Sequence, residues 1–261
     1  MKPKTEEYSS IIQGMVRVSE GTFIMGGPKY KVGASSIHEQ EVFLSEYYID
    51  PYPVTNAEFA EFVETTNYKT RAERMGQAYG FAGNKFIDIK DLSWKSFATT
   101  PDRANHPVIL VSWDDASAYA KWRSKSLPTE AQWEKAARGG LLNNLYSWGD
   151  DEPTKKHCNF AKLPAEITPT TPVDAFPPNA YGLYDMLGNV WELCSDWLDY
   201  DYHRLPDALS NPQGPRAGEF KVRRGGSWDV TQSYKLSCAW RGALHIDSNT
   251  VNVGFRCIFN P

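Results

Sequence analysis

From residue 146 onward the sequence offers almost no sustained helical or strand periodicity. Pro and Gly recur at short intervals in "SWGDDEP", "PVDAFPPNAYGLYDMLGN" and "NPQGPRAGEF". Each such cluster marks a turn, because Pro fixes φ and Gly admits backbone that other residues avoid. In this half only "KVRRGGSW" and "NVGFRCIF" read as strands, so much of the core must be lined by irregular backbone. Hydrophobic residues make up 41% and charged residues 23% of 261 positions, which is the composition of a folded, soluble domain. No internal repeat or low-complexity linker divides it. The expectation is a 1–14 extension followed by one domain over 15–261.

The N-terminal half is more regular. "MVRVSEGTFIMGG" alternates apolar and polar residues and predicts a hairpin turning at Glu20-Gly21. Thr55 and Glu58 form a capping-box pattern ahead of a helix that buries Phe59, Phe62 and Val63. Residues 67–105 read as a long surface excursion anchored by Trp94 and Phe97. "HPVILVSW" predicts a short buried strand, followed by a helix with Ala116, Tyr119 and Ala120 on one face. A second capping box, Thr129 with Gln132, opens a helix with a Trp133, Ala136 and Ala137 stripe and a Gly139-Gly140 stop.

Several function classes are disfavoured by composition. A net charge of −4 without a basic stripe argues against a nucleic-acid partner. No apolar run has the length of a secretory signal or a membrane span, so the chain reads as cytoplasmic and not membrane-bound, or exported if a leader was removed. A monomer is the expected state. Cys158, Cys194, Cys238 and Cys257 are scattered, form no C-x-x-C pair, and predict buried free thiols. His38, His106, His157, His203 and His245 show no metal-ligand spacing, and no phosphate loop or G-x-S-x-G elbow occurs.

The order of motifs carries more than any single one. "GTFIMGG", "YPVTNAEFAEFV", "HPVILVSWDDASAYAKW", "LPTEAQWEKAARGG", "YSWGD", "PVDAFPPNAYGLYDMLGNVWELCSDW", "RRGGSW" and "GFRC" follow one another across nearly the whole chain. In this the sequence resembles the formylglycine-generating enzyme, or sulfatase-modifying-factor, family. The resemblance implies an α+β fold: a single irregular C-type-lectin-like domain with low regular secondary structure. It also spans copper oxidases, iron-dependent sulfoxide synthases, siderophore-maturation proteins and retroelement-diversified variable proteins.

Individual positions discriminate among these. The resemblance places the oxidases' two copper-binding cysteines shortly after the GGS-aromatic motif, where this chain has Val230 and Lys235. Neither side chain can hold Cu(I), which favours soft thiolates. Cys238 and Cys257 align with structural positions and would serve as a pair only after a register shift. The resemblance further implies a structural Ca²⁺ held by Asp185, the carbonyls of Gly188 and Val190, and Glu192, a hard-oxygen set suited to that ion. The other reading is that Asp185 caps a turn and Glu192 pairs with Arg241 or Arg256. A second family calcium site begins at Asn159-Phe160, but its later half is missing from "AKLPAEITPTTPVDAF".

By the same resemblance Trp191, Ser227, Trp228 and Asn252 line or support a groove. The two indoles would give stacking walls, and Ser227 and Asn252 directional hydrogen bonds for a peptide, protein or small-molecule ligand. Arg241 reads instead as a buried network residue paired with Glu192 or Asp196. The expected function is therefore a family domain without copper oxidase activity that binds a ligand in the groove, with Asp229–Val253 as the variable run of a diversified protein. The alternatives are a siderophore-maturation-like oxidase, or formylglycine generation on a C-x-P-x-R peptide through relocated cysteines.

Overall fold

The computed structural model describes residues 8–27, 38–82, 85–98, 100–161 and 169–261. Among the described residues three helices run beyond two turns: α1 (Asn56–Thr66), α2 (Trp113–Trp122) and α3 (Glu130–Arg138). The strands are β1 (Val16–Val18), β2 (Gly21–Met25), β3 (Gln40–Leu44), β4 (Tyr47–Ile49), β5 (Gln77–Ala82), β6 (Lys85–Lys90), β7 (Trp191–Trp197), β8 (Phe220–Arg224), β9 (Arg241–His245), β10 (Val253–Gly254) and β11 (Ile258–Phe259). They form a three-stranded sheet β1-β4-β11, a four-stranded sheet β10-β7-β8-β9 and two hairpins, β2-β3 and β5-β6. The result is a mixed α+β fold with little regular structure, as the turn-rich sequence implies. No helix among the described residues is long and apolar enough to cross a membrane.

The helix starts follow from local chemistry. Thr55 accepts from the Glu58 amide at 3.3 Å, and the Glu58 carboxylate accepts from the Thr55 amide at 2.9 Å. Ser112 with Asp115 and Thr129 with Gln132 repeat the arrangement. Each box satisfies two backbone donors that the first helical turn leaves free. Thr55→Ala should therefore lower stability by about 1 kcal/mol, read as a shift of the urea midpoint without a change in slope. Phe59 and Phe62 are buried with Tyr119 and Phe255 in the main core, while Val63 packs at its edge.

Three expectations need correction. The 15–27 stretch does form two strands, but they do not pair with each other: β1 pairs with β4 and β2 with β3. Alternation encodes a half-buried strand and says nothing of its partner. Residues 67–105 are not a plain surface excursion. They contain a capped short helix (Arg71–Met75) and the β5-β6 hairpin, with Trp94 buried. Residues 108–111 are buried but form no strand, and Leu110 takes a left-handed φ of 64°, which breaks the extended run.

Candidate groove and buried charge network

The four-stranded sheet separates two polar regions. Along β8, successive side chains point to opposite faces. Arg224 faces α3 and Arg223 faces the other way. Register aligns Glu192, Arg224 and Arg241 in one row across β7, β8 and β9.

That inward row meets the charged residues of α3. Glu130 accepts from Arg224 Nη1 at 2.8 Å and from Arg241 Nε and Nη2 at 2.7 and 2.8 Å. Glu134 binds Arg224 and also Arg138, the latter at 2.7 Å. His203 Nε2 lies 3.3 Å from Glu130, and the Glu130 amide donates to Asp196 at 2.9 Å. Burial alone would raise the Glu130 carboxyl, but Arg241 and Arg224, joined by His203, outweigh it and hold it well below the ordinary range. Arg241 is thus a network residue, as expected, but its partner is Glu130 rather than Glu192 or Asp196. Two neighbouring guanidiniums on one sheet face are tolerable only because α3 supplies the acids between them.

Glu192 is engaged separately. Arg256 donates to both its oxygens at 2.7 Å, and Trp133 Nε1 donates to Oε2 at 2.8 Å. Of the two arginines weighed for Glu192, the structure selects Arg256. The preceding turn holds the other expected calcium ligands. Asp185, Gly188 and Asn189 have φ of 49°, 81° and 59°. A Cβ at Gly188 would lie 2.7 Å from the Asn159 carbonyl, so this position needs glycine.

Asp185 Oδ2 accepts from Asn189 at 2.7 Å, whereas buried Oδ1 has no partner among the described residues. Burial pushes the Asp185 carboxyl up to about 7. An orphaned carboxylate oxygen in a glycine turn fits a hard cation, with the Gly188 and Val190 carbonyls in the same turn. Glu192 is already neutralised by Arg256. No cluster of three or more His, Cys, Asp or Glu side chains placed for a metal occurs among the described residues. Asn159 Nδ2 donates to the Pro169 carbonyl at 3.0 Å, and residues 162–168 of the doubtful second site lie outside the described residues.

On the opposite side lies an open cavity of about 490 Å³. Trp191, Trp240, Arg223, Val230, Lys235 and Asn252 are among its walls, with Tyr79 and Phe86 of the β5-β6 hairpin. Trp191 and Trp240 meet at 5.2 Å between ring centroids. Asn252 donates to both oxygens of Asp229 at 3.1 and 3.0 Å, and Ser227 donates to Asp229 at 2.5 Å. Of the four groove residues read from sequence, Trp191 and Asn252 line this cavity. Ser227 is fully buried beneath it and acts through Asp229. Trp228 instead walls a separate, mainly apolar pocket of about 170 Å³ with Ile109 and Val251. The two indoles therefore do not face one another, and Trp240 takes the place expected of Trp228.

Val230 and Lys235, at the places of the oxidase cysteines, both line the large cavity. All four cysteines are buried and free, and none contributes to that wall. Burial raises each thiol above its ordinary range, Cys238 to about 12. The residues present do not fit a copper site in the groove.

Sequence reasoning did not reach Arg223, Trp240, Glu130 and Glu134. The RR pair on a strand signals that one arginine enters each face, but not which face is the cavity.

The chain is similar to known proteins along nearly its whole length. Residues 2–261 match the family profile described as a sulfatase-modifying factor enzyme 1-like domain. The chain is 40% identical to the formylglycine-generating enzyme of Thermomonospora curvata, over 96% of this chain and 95% of that protein. It is 35% identical to the inactive C-alpha-formylglycine-generating enzyme 2 of Bos taurus, over 93% of this chain and 87% of that one. PvdO from Pseudomonas aeruginosa shares the fold, with a TM-score of 0.77 at 24% identity over 95% of this chain and 94% of that one. The chain belongs to the sulfatase-modifying-factor family, whose formylglycine-generating members it matches along almost its whole length.

Proposed function

We propose that this chain is a formylglycine-generating-enzyme-type domain that binds a peptide or small ligand in the 490 Å³ groove and carries out no copper-dependent cysteine oxidation. The observation that carries this reading is the groove wall itself. It keeps the aromatic and amide groups suited to a ligand, Trp191, Trp240 and Asn252, while Val230 and Lys235 stand where thiolates would hold copper. A relative whose name marks it as inactive, 35% identical to this chain, supports the same direction. Calcium at the 185–192 turn would be structural, with Asp185 and the Gly188 and Val190 carbonyls as its ligands. Within this reading, a retroelement-diversified protein would carry its variable positions at 229–253. A near-copy of that segment beside a reverse-transcriptase gene would support that version.

Ala243 is exposed on β9 and lines the groove, so Ala243→Trp fills it from a position that tolerates bulk. Selection of a displayed random dodecapeptide library should enrich peptides on the wild-type protein and lose them on A243W. Equal enrichment on both proteins, or none on either, would overturn the peptide form of the reading.

A further inference from the structure

Among the described residues, the groove holds a cation, Arg223, that makes no direct ion pair. Arg223 Nε is buried without a hydrogen-bond partner, and the guanidinium lies 4.8 Å over the Trp191 ring. Asp229, which also lines the cavity, acts on it through space without a direct hydrogen bond, its oxygens accepting from Ser227 and Asn252. Space for the Arg223 side chain depends on Gly242 opposite it, where a Cβ would fall 3.0 Å from Nε. Lys235, which lines the same cavity, has its Nζ 5.8 Å over Trp240, the ring in contact with Trp191. His245 also lines the cavity, while its acidic neighbour Glu219 lies 3.8 Å from it and is not part of the wall.

Burying a charge without a hydrogen-bonded partner is costly, and a ligand that supplies the partner recovers that cost. Arg offers a planar fork of donors that matches an oxyanion with two parallel hydrogen bonds, and stacking on an indole holds that fork in place. Burial lowers the Arg223 pKa only to about 10, so it remains charged at neutral pH. Lys235, a point charge on a flexible stem, lines the same cavity and offers a second cation to the same ligand.

We infer that Arg223 and Lys235 form an oxyanion subsite of the groove, which selects ligands bearing a carboxylate or a sulfate-like group. The inference rests on the reading of the groove as a binding site and names its ligand class. The substitution that removes a copper thiolate position thereby installs one half of an anion clamp.

The probes are glutarate and inorganic sulfate, added to the protein at low ionic strength while the indole N–H resonances of Trp191 and Trp240 are followed by NMR. Those two resonances should move saturably with at least one probe. Binding should weaken about tenfold or more in Arg223→Gln and separately in Lys235→Gln. Lys235 is only half-buried, so K235Q keeps the test valid if R223Q proves unstable. Tighter glutarate binding would identify a carboxylate, and tighter sulfate binding a sulfo or phospho group. Neither probe moving the indoles, or equal binding by both variants and wild type, overturns the subsite. Peptides enriched on the groove without acidic residues, with no anion binding, would sink this inference and leave the peptide reading intact. Anion binding without peptide enrichment would do the reverse.

Discussion

Replacing Glu130 by alanine will lower the stability of the protein by about 3–5 kcal/mol, because it leaves buried cations uncompensated. Glu130 takes three hydrogen bonds from Arg224 and Arg241 and faces His203. Removing it strands Arg241 against the sheet, while Arg224 keeps only Glu134 among its acidic partners. The melting temperature should fall by on the order of 10 °C. Because the folded-state carboxyl is held below its unfolded value, its stabilisation is complete above the ordinary carboxylate range and fades as pH falls through the folded-state value. The wild-type advantage over the variant should therefore shrink on acidification. Denaturant titrations at pH 7 and at progressively lower pH read both effects. A loss under about 1 kcal/mol at pH 7 would mean that the network is energetically neutral.

Asp185 should behave in the opposite sense. Its folded-state value, about 7, lies above that of an unfolded aspartate, so ionisation penalises the native state. Without a cation, the contribution is neutral well below pH 4, worsens as pH rises toward 7, and levels off above it. The full penalty is about 4 kcal/mol. Asp185→Asn removes that titration. In chelator at pH 8 the variant should be the more stable protein, and the difference should vanish near pH 4. Calcium should reverse the order at pH 8 by stabilising the wild type alone. Asp196, raised to about 6 by burial, titrates in both proteins and cancels in the comparison. If calcium stabilises D185N as much as wild type, the turn is not the calcium site.

The parts of this fold that sequence discloses are those fixed by short-range chemistry. The capping boxes at Thr55 and Thr129 were legible because both partners lie within one helical turn. The same holds for the Gly139 stop, whose φ of 58° favours glycine. Strand partners were not legible, since β1 and β2 are adjacent in sequence but belong to different sheets. Nor was the burial of every residue of α3, including Glu130, Glu134, Lys135 and Arg138. A charged helix face normally reads as solvated, and here it is buried because β8 and β9 deliver arginines to it.

The groove was half legible. Trp191 and Asn252 line it, but Trp228 turns to the far side of the loop, since its amide donates to the Asn189 carbonyl and its ring packs with Ile109 and Val251. Arg223 was invisible because alternation along β8 depends on which face α3 covers. Conversely, the substitution of the thiol pair was plain in the sequence, and the structure adds only that both positions face the cavity.

The proposed function leaves this groove without copper oxidase chemistry. Its most direct test is a Cu(I) titration of the purified wild-type protein, followed by incubation of the loaded protein with a C-x-P-x-R peptide and oxygen. The expected result is no stoichiometric Cu(I) binding and no peptide aldehyde by mass spectrometry. One equivalent of tightly held Cu(I) together with conversion of the peptide cysteine to formylglycine would show a working copper oxidase instead.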